Sequence, residues 1–434
     1  MKTKEFARRR KHLMELIGSS GIAILAAAPE RVRSRDTLYI YRQDSDFFYL
    51  TGFGEPEAVA VFVPGRPQGE FLLFCRERNP DREQWDGPRA GPEGAVAHYG
   101  ADDAFPISDL DDILPGLLER SDRVYYSISG NEFDQKLLAF IQTLNSKRQS
   151  GHSPSELVAL DHLLHEMRLF KSRAETGVMR QAARIAVDAH SRAMRACRPG
   201  MREYELEAEF VHEFRRHGAE CSYPPIVAAG ANACILHYRS NDALLVDGDL
   251  VLIDAGCEFG MYASDVTRTF PVNGRFSSAQ RELYEVVHDA NIAATAKAVT
   301  GNHWNDPHDA AVGVVTRGLK ELGLLEGRVP HLLKTLAYRQ FFMHKTGHWL
   351  GLDVHDVGDY KVADHWRLLE PGMVMTVEPG VYISAHDKSV DKRWRGIGIR
   401  IEDDVQVTRD GPDVLTQGLP TAVEEIERHM GGAA

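Results

Sequence analysis

The sequence predicts an α/β N-terminal domain followed by a second, α+β domain, and three observations carry that expectation. The 434 residues exceed what one hydrophobic core ordinarily supports. Residues 1 to about 170 alternate helical and strand-like apolar patterns and hold no clustered set of potential ligands. From 171 to 434, long helical runs lead into apolar hairpins that carry histidines and carboxylates.

In the first domain, 1–170, Arg8–Ile17 has helical spacing and Ile22–Ala27 reads as a strand. Ala58–Val63 and Glu70–Cys75 form an apolar pair around the turn PGRPQG. Trp85 stands in NPDREQWDGPRAG, a polar Gly/Pro-rich loop with few local partners for a large aromatic ring. It either folds back on its own domain or meets a neighbouring subunit. SKRQSGHSPS, Ser146 to Ser155, is polar, contains Gly and Pro, and is the expected linker. In the second domain, 171–434, Ala174–Cys197 has the period of a long amphipathic helix that Pro199 and Gly200 end; Glu203–His217 and Arg281–Val299 follow as helices. His190, His212 and His288 on these helices read as ordinary helix histidines, and His237, among the apolar residues of PPIVAAGANACILHY, reads by itself as a core histidine. No tandem repeat is visible.

A net charge of −12 argues against nucleic acid as a partner. No apolar run reaches membrane-spanning length, and the basic start lacks the order of a signal peptide, so a cytoplasmic protein is expected. Cys75, Cys197, Cys221, Cys234 and Cys257 are odd in number and lack a CxxC pair, as expected of buried, reduced thiols; Cys257, close to Asp254, reads as a small hydrophobe rather than a ligand.

The chemistry concentrates in the second domain. FFMHKTGHWLGLDVHDVG, Phe341 to Gly358, sets His344, His348 and His355 among large apolar residues, where ionisable groups need partners. His344 and His348 share the spacing of the HExxH zinc helix, but Lys345 replaces the Glu, and Gly347 and Gly351 oppose a helix. Upstream, LVLIDAGCEFGMYASDVTRTF reads as a hairpin with Asp254 ending one strand and Asp265 inside the other; either alone could be a turn Asp, but facing each other they repel unless a positive charge lies between them. Downstream, Glu378 is embedded in MVMTVEPGVYI before a Pro-Gly turn. In GIGIRIEDDVQVT, alternation puts Arg400 and Glu402 on the face opposite Ile397, Ile399 and Ile401. Asp254, Asp265, His348, Glu378 and Glu402 thus form an oxygen-rich set with one nitrogen, suited to Mn²⁺, Co²⁺ or Zn²⁺ and able to hold two ions by bridging.

The series formed by the two aspartates, HWLGLDVHD, EPG and GIRIEDD resembles the pita-bread-fold dinuclear metallopeptidases, specifically the aminopeptidase P (Xaa-Pro aminopeptidase) family. YRQDSDFFYLTGFGEPEAV, HEMRLFKS and CILHY extend the resemblance to nearly the whole chain. It implies a creatinase/methionine aminopeptidase-like catalytic domain and two divalent ions per subunit, Mn²⁺ first. Asp254, Asp265, His348, Glu378 and Glu402 match the ligands, with Asp265 and Glu402 as the bridging pair. His237, His344, His355, Arg400 and Tyr382 match positions around the metals or the substrate. The implied reaction is hydrolysis of the N-terminal Xaa-Pro bond by a metal-bridging hydroxide, with Glu378 as proton shuttle, His355 and His237 stabilising the oxyanion, and Arg400 orienting Glu402 or another carboxylate. The family also implies a homo-oligomer, tetramer or dimer, in which Trp85 would help close a neighbour's site. Lys345 departs from the family's usual Gly, which leads us to expect backbone strain there, partly absorbed by Gly347. The rival readings are a prolidase acting on Xaa-Pro dipeptides, a methionine aminopeptidase, and a non-catalytic peptide-binding module.

Overall fold

A computed structural model describes residues 2–146 and 152–431. The chain divides into two compact units, Met1–Arg168 and Leu169–Ala434.

The first unit is built on a six-stranded sheet in the order Asp103–Pro106, Phe71–Cys75, Val59–Phe62, Gly21–Ala26, Arg123–Tyr125, Glu156–Val158. The three central strands are antiparallel, and the outer ones add in parallel. Ile22, Ile24, Val61, Leu72 and Phe74 bury one face against Leu110, Leu114 and Leu118 of the helix Leu110–Leu118. Residues 147–151 of the expected linker lie outside the described residues, but the strand just after it pairs with Arg123–Tyr125. The division between the two units falls after that strand, at Arg168–Leu169, rather than at the expected linker.

The second unit contains two successive sets of a helix pair and a bent hairpin. Arg173–Ala196 starts with a reciprocal cap between Ser172 and Glu175, and its small residues Ala182, Ala186, Ala189 and Ala193 are buried. Glu203–Arg216 packs beside it, and the antiparallel strands Ile226–Ala229, Leu250–Asp254 and Thr267–Pro271 follow. The second set pairs Ser278–Thr295 with Asp306–Glu321, then folds Val374–Val377 and Gly380–Ile383 against Asp403–Thr408 and Ile397–Arg400. Asp306–Glu321 is missing from the sequence reading, although Pro307 at its start and buried Ala311, Val315 and Leu319 carry a helical signature. The two hairpins meet where Thr267 bridges Glu402.

Two strand expectations need correction. The first hairpin bends, so that Asp265 lies between the strands Tyr262–Ala263 and Thr267–Pro271 rather than inside one. Pro379-Gly380 is not a reversal, because Val377 pairs with Asp403 and Gly380 with Arg400 in one continuous register. The proline, which has no N–H to donate, breaks one strand in two without turning it back.

Among the five cysteines, all free, Cys221 and Cys234 are only half-buried. No helix among the described residues is long and apolar enough to cross a membrane.

Candidate metal centre

A cavity of about 300 Å³ in the second unit is lined by Asp254, Asp265, His348, Glu378 and Glu402, with His237, His344, Lys345, His355 and Arg400 around them. The aspartates meet through the bend of the first hairpin. Asp254 pairs with Thr267, the amide of Ala255 donates to Val266, and that of Ser264 to Cys257, so the register runs on and sets Gly256 opposite Asp265. A Cβ on Gly256 would stand 1.8 Å from the Ser264 carbonyl oxygen, so only glycine lets the strands close here. The glutamates meet by the same device. With Val377 opposite Asp403 and Gly380 opposite Arg400, the unbroken register puts Glu378 across from Glu402. The Asn291 amide donates to the carbonyls of Val377 and Ile401, 3.1 and 3.2 Å away, and fixes the break.

His348 arrives on a loop that behaves as an extra edge strand. Leu350 donates to Val374, Thr376 to His348 and Glu378 to Thr346, all at 2.8–3.0 Å. Gly347 is required by that close approach, since its Cβ would meet the Thr376 carbonyl oxygen at 2.1 Å. Lys345 is not among the residues with positive φ, so the strain expected there is absent. The His348 Nδ1 lies 3.0 Å from the Trp349 carbonyl, which assigns it the proton and turns Nε2 toward Asp265 Oδ2 at 3.3 Å and Glu378 Oε1 at 3.8 Å. One ligand atom from each of Asp265, His348 and Glu402 lies within 4.8 Å of the other two.

The donors carry too much like charge for their surroundings. Burial, then the neighbouring acids, push the Glu402 carboxyl well above the usual range, and burial against the partial relief of His348 and Arg400 leaves Glu378 at about 7. Asp254 is raised too, by burial and by Asp265, although Arg400 opposes this. Burial opposes the His348 imidazolium, yet its hydrogen bond to Asp265 and the charges of Asp265 and Glu378 push it up to about 9. The Tyr223 hydroxyl touches both Asp254 and Asp265, but its single proton can serve only one of them at a time. Oxygens facing one another without enough protons, beside an imidazole nitrogen, are a donor set that divalent cations fit.

Around this set, Arg400 is buried and donates to Asp254 Oδ2 at 2.6 Å, to the Tyr382 hydroxyl at 3.0 Å and to Thr267 Oγ1 at 3.2 Å; Thr267 in turn donates to Glu402 Oε2 at 2.5 Å. Arg400 therefore holds Asp254 directly and reaches Glu402 only through Thr267. Tyr382 does not line the cavity as a substrate contact would; it is buried, with its hydroxyl 2.9 Å from His344 Nε2. His237 is exposed on the cavity wall rather than in a core, near exposed His355. His355 packs edge-on to His348 with ring centroids 4.4 Å apart. Trp85 lies in the first unit and is 86% exposed on the short helix Pro80–Asp86, not in a loop.

The sequence reading missed Tyr223, Thr267 and Asp404. Asp404 is buried and accepts from the Asp265 amide at 3.2 Å, which pins the bend from beneath. Asp356, beside the third loop histidine, is structural: it is buried against the Lys171 ammonium at 2.9 Å. Cys257 points its Sγ at the Ala182 carbonyl, away from any ligand role.

Residues 177–409 match the model of metallopeptidase family M24, and residues 6–125 match the aminopeptidase P N-terminal domain. The chain is 46% identical to an Xaa-Pro aminopeptidase of Escherichia coli over 99% of this chain and 98% of that one, and 37% identical to Xaa-Pro aminopeptidase 3 of Rattus norvegicus over 98% and 85%. Among solved structures it superposes on aminopeptidase PepP of Pseudomonas aeruginosa with a TM-score of 0.99 at 59% identity, covering 100% and 99% of the two chains. Zinc-substituted E. coli aminopeptidase P in complex with product matches with a TM-score of 0.97 at 45% identity, again covering 100% and 99%. With the two bent hairpins, the histidine loop and both matched domains in one chain, the protein belongs to metallopeptidase family M24 and carries its pita-bread fold behind an aminopeptidase P N-terminal domain.

Proposed function

We infer that the chain is a metalloaminopeptidase that removes the N-terminal residue from peptides with proline in second position. The observation that carries this reading is the convergence of four carboxylates and one imidazole in a single cavity, in a chain 46% identical to an Xaa-Pro aminopeptidase over nearly its whole length. Asp254, Asp265, His348, Glu378 and Glu402 would hold two divalent ions, with Mn²⁺ our assignment from the oxygen-rich donors and Asp265 and Glu402 shared between the ions. When bound, such ions supply Lewis acidity and make water acidic enough to react near neutral pH.

The protein's own groups do the rest. Glu378, facing both His348 and His344, takes a proton from the attacking water and hands it to the proline nitrogen, which as a tertiary amide leaves only when protonated. His355 and His237, exposed on the wall, donate hydrogen bonds to the carbonyl oxygen as charge develops on it. Arg400 fixes Asp254, and Tyr382 fixes His344. The 86% exposed ring of Trp85 supports assembly into a dimer or tetramer in which it meets a neighbouring subunit. Five free thiols favour a reducing, cytoplasmic setting.

Cleavage of Xaa-Pro dipeptides and Xaa-Pro-Xaa tripeptides, with Mn²⁺ and with chelator, tests the reading. Rapid metal-dependent release of the first residue from tripeptides supports an aminopeptidase; activity confined to dipeptides replaces it with a prolidase, and cleavage of Xaa-Ala peptides at equal rates removes the proline specificity.

A further inference from the structure

We propose that Lys345 makes the mouth of the metal cavity selective for peptides bearing a carboxylate on the portion that leaves with the proline. The inference rests on the aminopeptidase reading and assigns a specificity role to a side chain outside the metal set. Two permanent cations line the cavity, and they are used differently. Arg400 is buried and committed to Asp254, Tyr382 and Thr267. Lys345 is exposed, and among the described residues it makes no ion pair; its one hydrogen bond is a long 3.5 Å contact to the neutral Asn305 side chain. Its ammonium is held over the Trp366 ring, 5.5 Å from the centroid, and the Lys361 ammonium lies 4.6 Å from the same ring. An aromatic ring that two ammonium groups share keeps positive charge at the rim without neutralising it.

The position of that charge matters as much as its sign. Lys345 follows His344, whose Nδ1 is 3.9 Å from Glu378 Oε2, so it stands on the Glu378 side of the cavity, while the exposed His237 and His355 adjoin Asp254 and Asp265. Glu378 protonates the departing nitrogen, so the peptide beyond the proline leaves on that same side. It passes the lysine on its way out. A carboxylate there, whether the C-terminus of a tripeptide or an acidic side chain in a longer peptide, meets an ammonium with no ionic partner among the described residues.

The test compares kcat/KM for Ala-Pro-Ala with its C-terminal amide, and for the amidated peptides Ala-Pro-Asp and Ala-Pro-Asn, in the Mn²⁺-loaded wild type and in Lys345→Gln and Lys345→Arg. The wild type is expected to favour the carboxylate member of at least one pair about three- to fivefold, mainly through KM. That preference should shrink in concentrated salt, vanish in Lys345→Gln and persist in Lys345→Arg. Preference in the first pair alone identifies the terminal carboxylate as the ligand, and in the second alone an acidic side chain; either supports the proposal. Equal rates within both pairs in the wild type, or a preference unchanged in Lys345→Gln, overturns it. Failure to cleave any of the four peptides refutes the aminopeptidase reading instead.

Discussion

The two hairpins of the metal centre place acids by the same geometry but treat them differently. In the first, a glycine allows the bend, the acids are short aspartates, and each is tied down, Asp254 by Arg400 and Asp265 by the Asp404 beneath its amide, with the Tyr223 hydroxyl serving one or the other. In the second, a proline interrupts the strand, the acids are longer glutamates, and among the described residues the one hydrogen bond to either carboxylate is that of Thr267 to Glu402. Glu378 faces two histidines at 3.8–3.9 Å and, among the described residues, makes no closer polar contact through its side chain. The contrast separates positioning from chemistry. The first hairpin offers oxygens held by hydrogen bonds, and the second leaves Glu378, the proton carrier we infer, without one to its side chain among the described residues.

The most severe break in that contrast is removal of a shared oxygen donor. Asp265→Ala should lower occupancy at both metal positions and reduce peptidase activity to background, whereas His348→Ala should mainly affect one; elemental analysis with a turnover assay distinguishes the two, and at most one ion per wild-type chain under metal-replete conditions would remove the dinuclear assignment. Glu378→Gln comes next. It keeps the size and one oxygen of the side chain but cannot relay a proton, so turnover should fall on the order of 10²–10⁴-fold, with bound metal measured alongside to separate lost chemistry from lost ligation.

The sequence exposed those donors for a physical reason: each interrupts an apolar run where an unpaired charge is costly, as Glu378 does in MVMTVEPGVYI. Alternation correctly grouped Arg400 with Glu402. What it hid depends on the opposite strand. Gly256 matters because of Ser264, and nothing near Pro379 in the sequence tells a break from a reversal. Asp403 and Asp404 look like one acidic pair, yet the first holds Arg268 at 2.7 Å and the second the Asp265 amide. Tyr223 comes from a turn before the sheet, and its partners lie 31 and 42 residues away.

Tyr223→Phe should sharpen the comparison with a smaller effect. It removes the hydroxyl between the aspartates and should weaken metal affinity about 10–100-fold, measured by competition with a chromogenic chelator, while the second hairpin is untouched. Affinity equal to wild type would mean that Arg400 and Asp404 suffice to hold the first hairpin.

The smallest effect concerns stability. His190 is fully buried, bonds the Ala255 carbonyl of the first hairpin at 3.0 Å and packs on Phe210; burial lowers its pKa to about 3. The unfolded chain binds this proton from about pH 6.5 downward, while the folded chain does not until about pH 3. The neutral ring therefore contributes fully above pH 6.5, and its contribution is lost as pH falls toward 3, at about 1.4 kcal/mol for each pH unit. His190→Gln should show a shallower decline than wild type over that window in urea titrations; parallel declines would mean that this ring titrates alike in both states.

The pairing of the histidine loop with Val374–Val377 also governs which changes of length the chain can survive. Side chains along an extended segment alternate, so one residue added or deleted between Thr346 and Leu350 would turn His348 toward the opposite face and carry the main-chain bonds out of step with Glu378. The exposed hairpin tip Val362–His365 carries no ligand and lies beyond Tyr360, whose ring stacks on Trp349 and whose hydroxyl accepts from the Trp349 amide. Insertions and deletions should therefore be tolerated in that stretch and excluded from the few residues that pair with the strand, a pattern that a library of single-residue length variants would display directly.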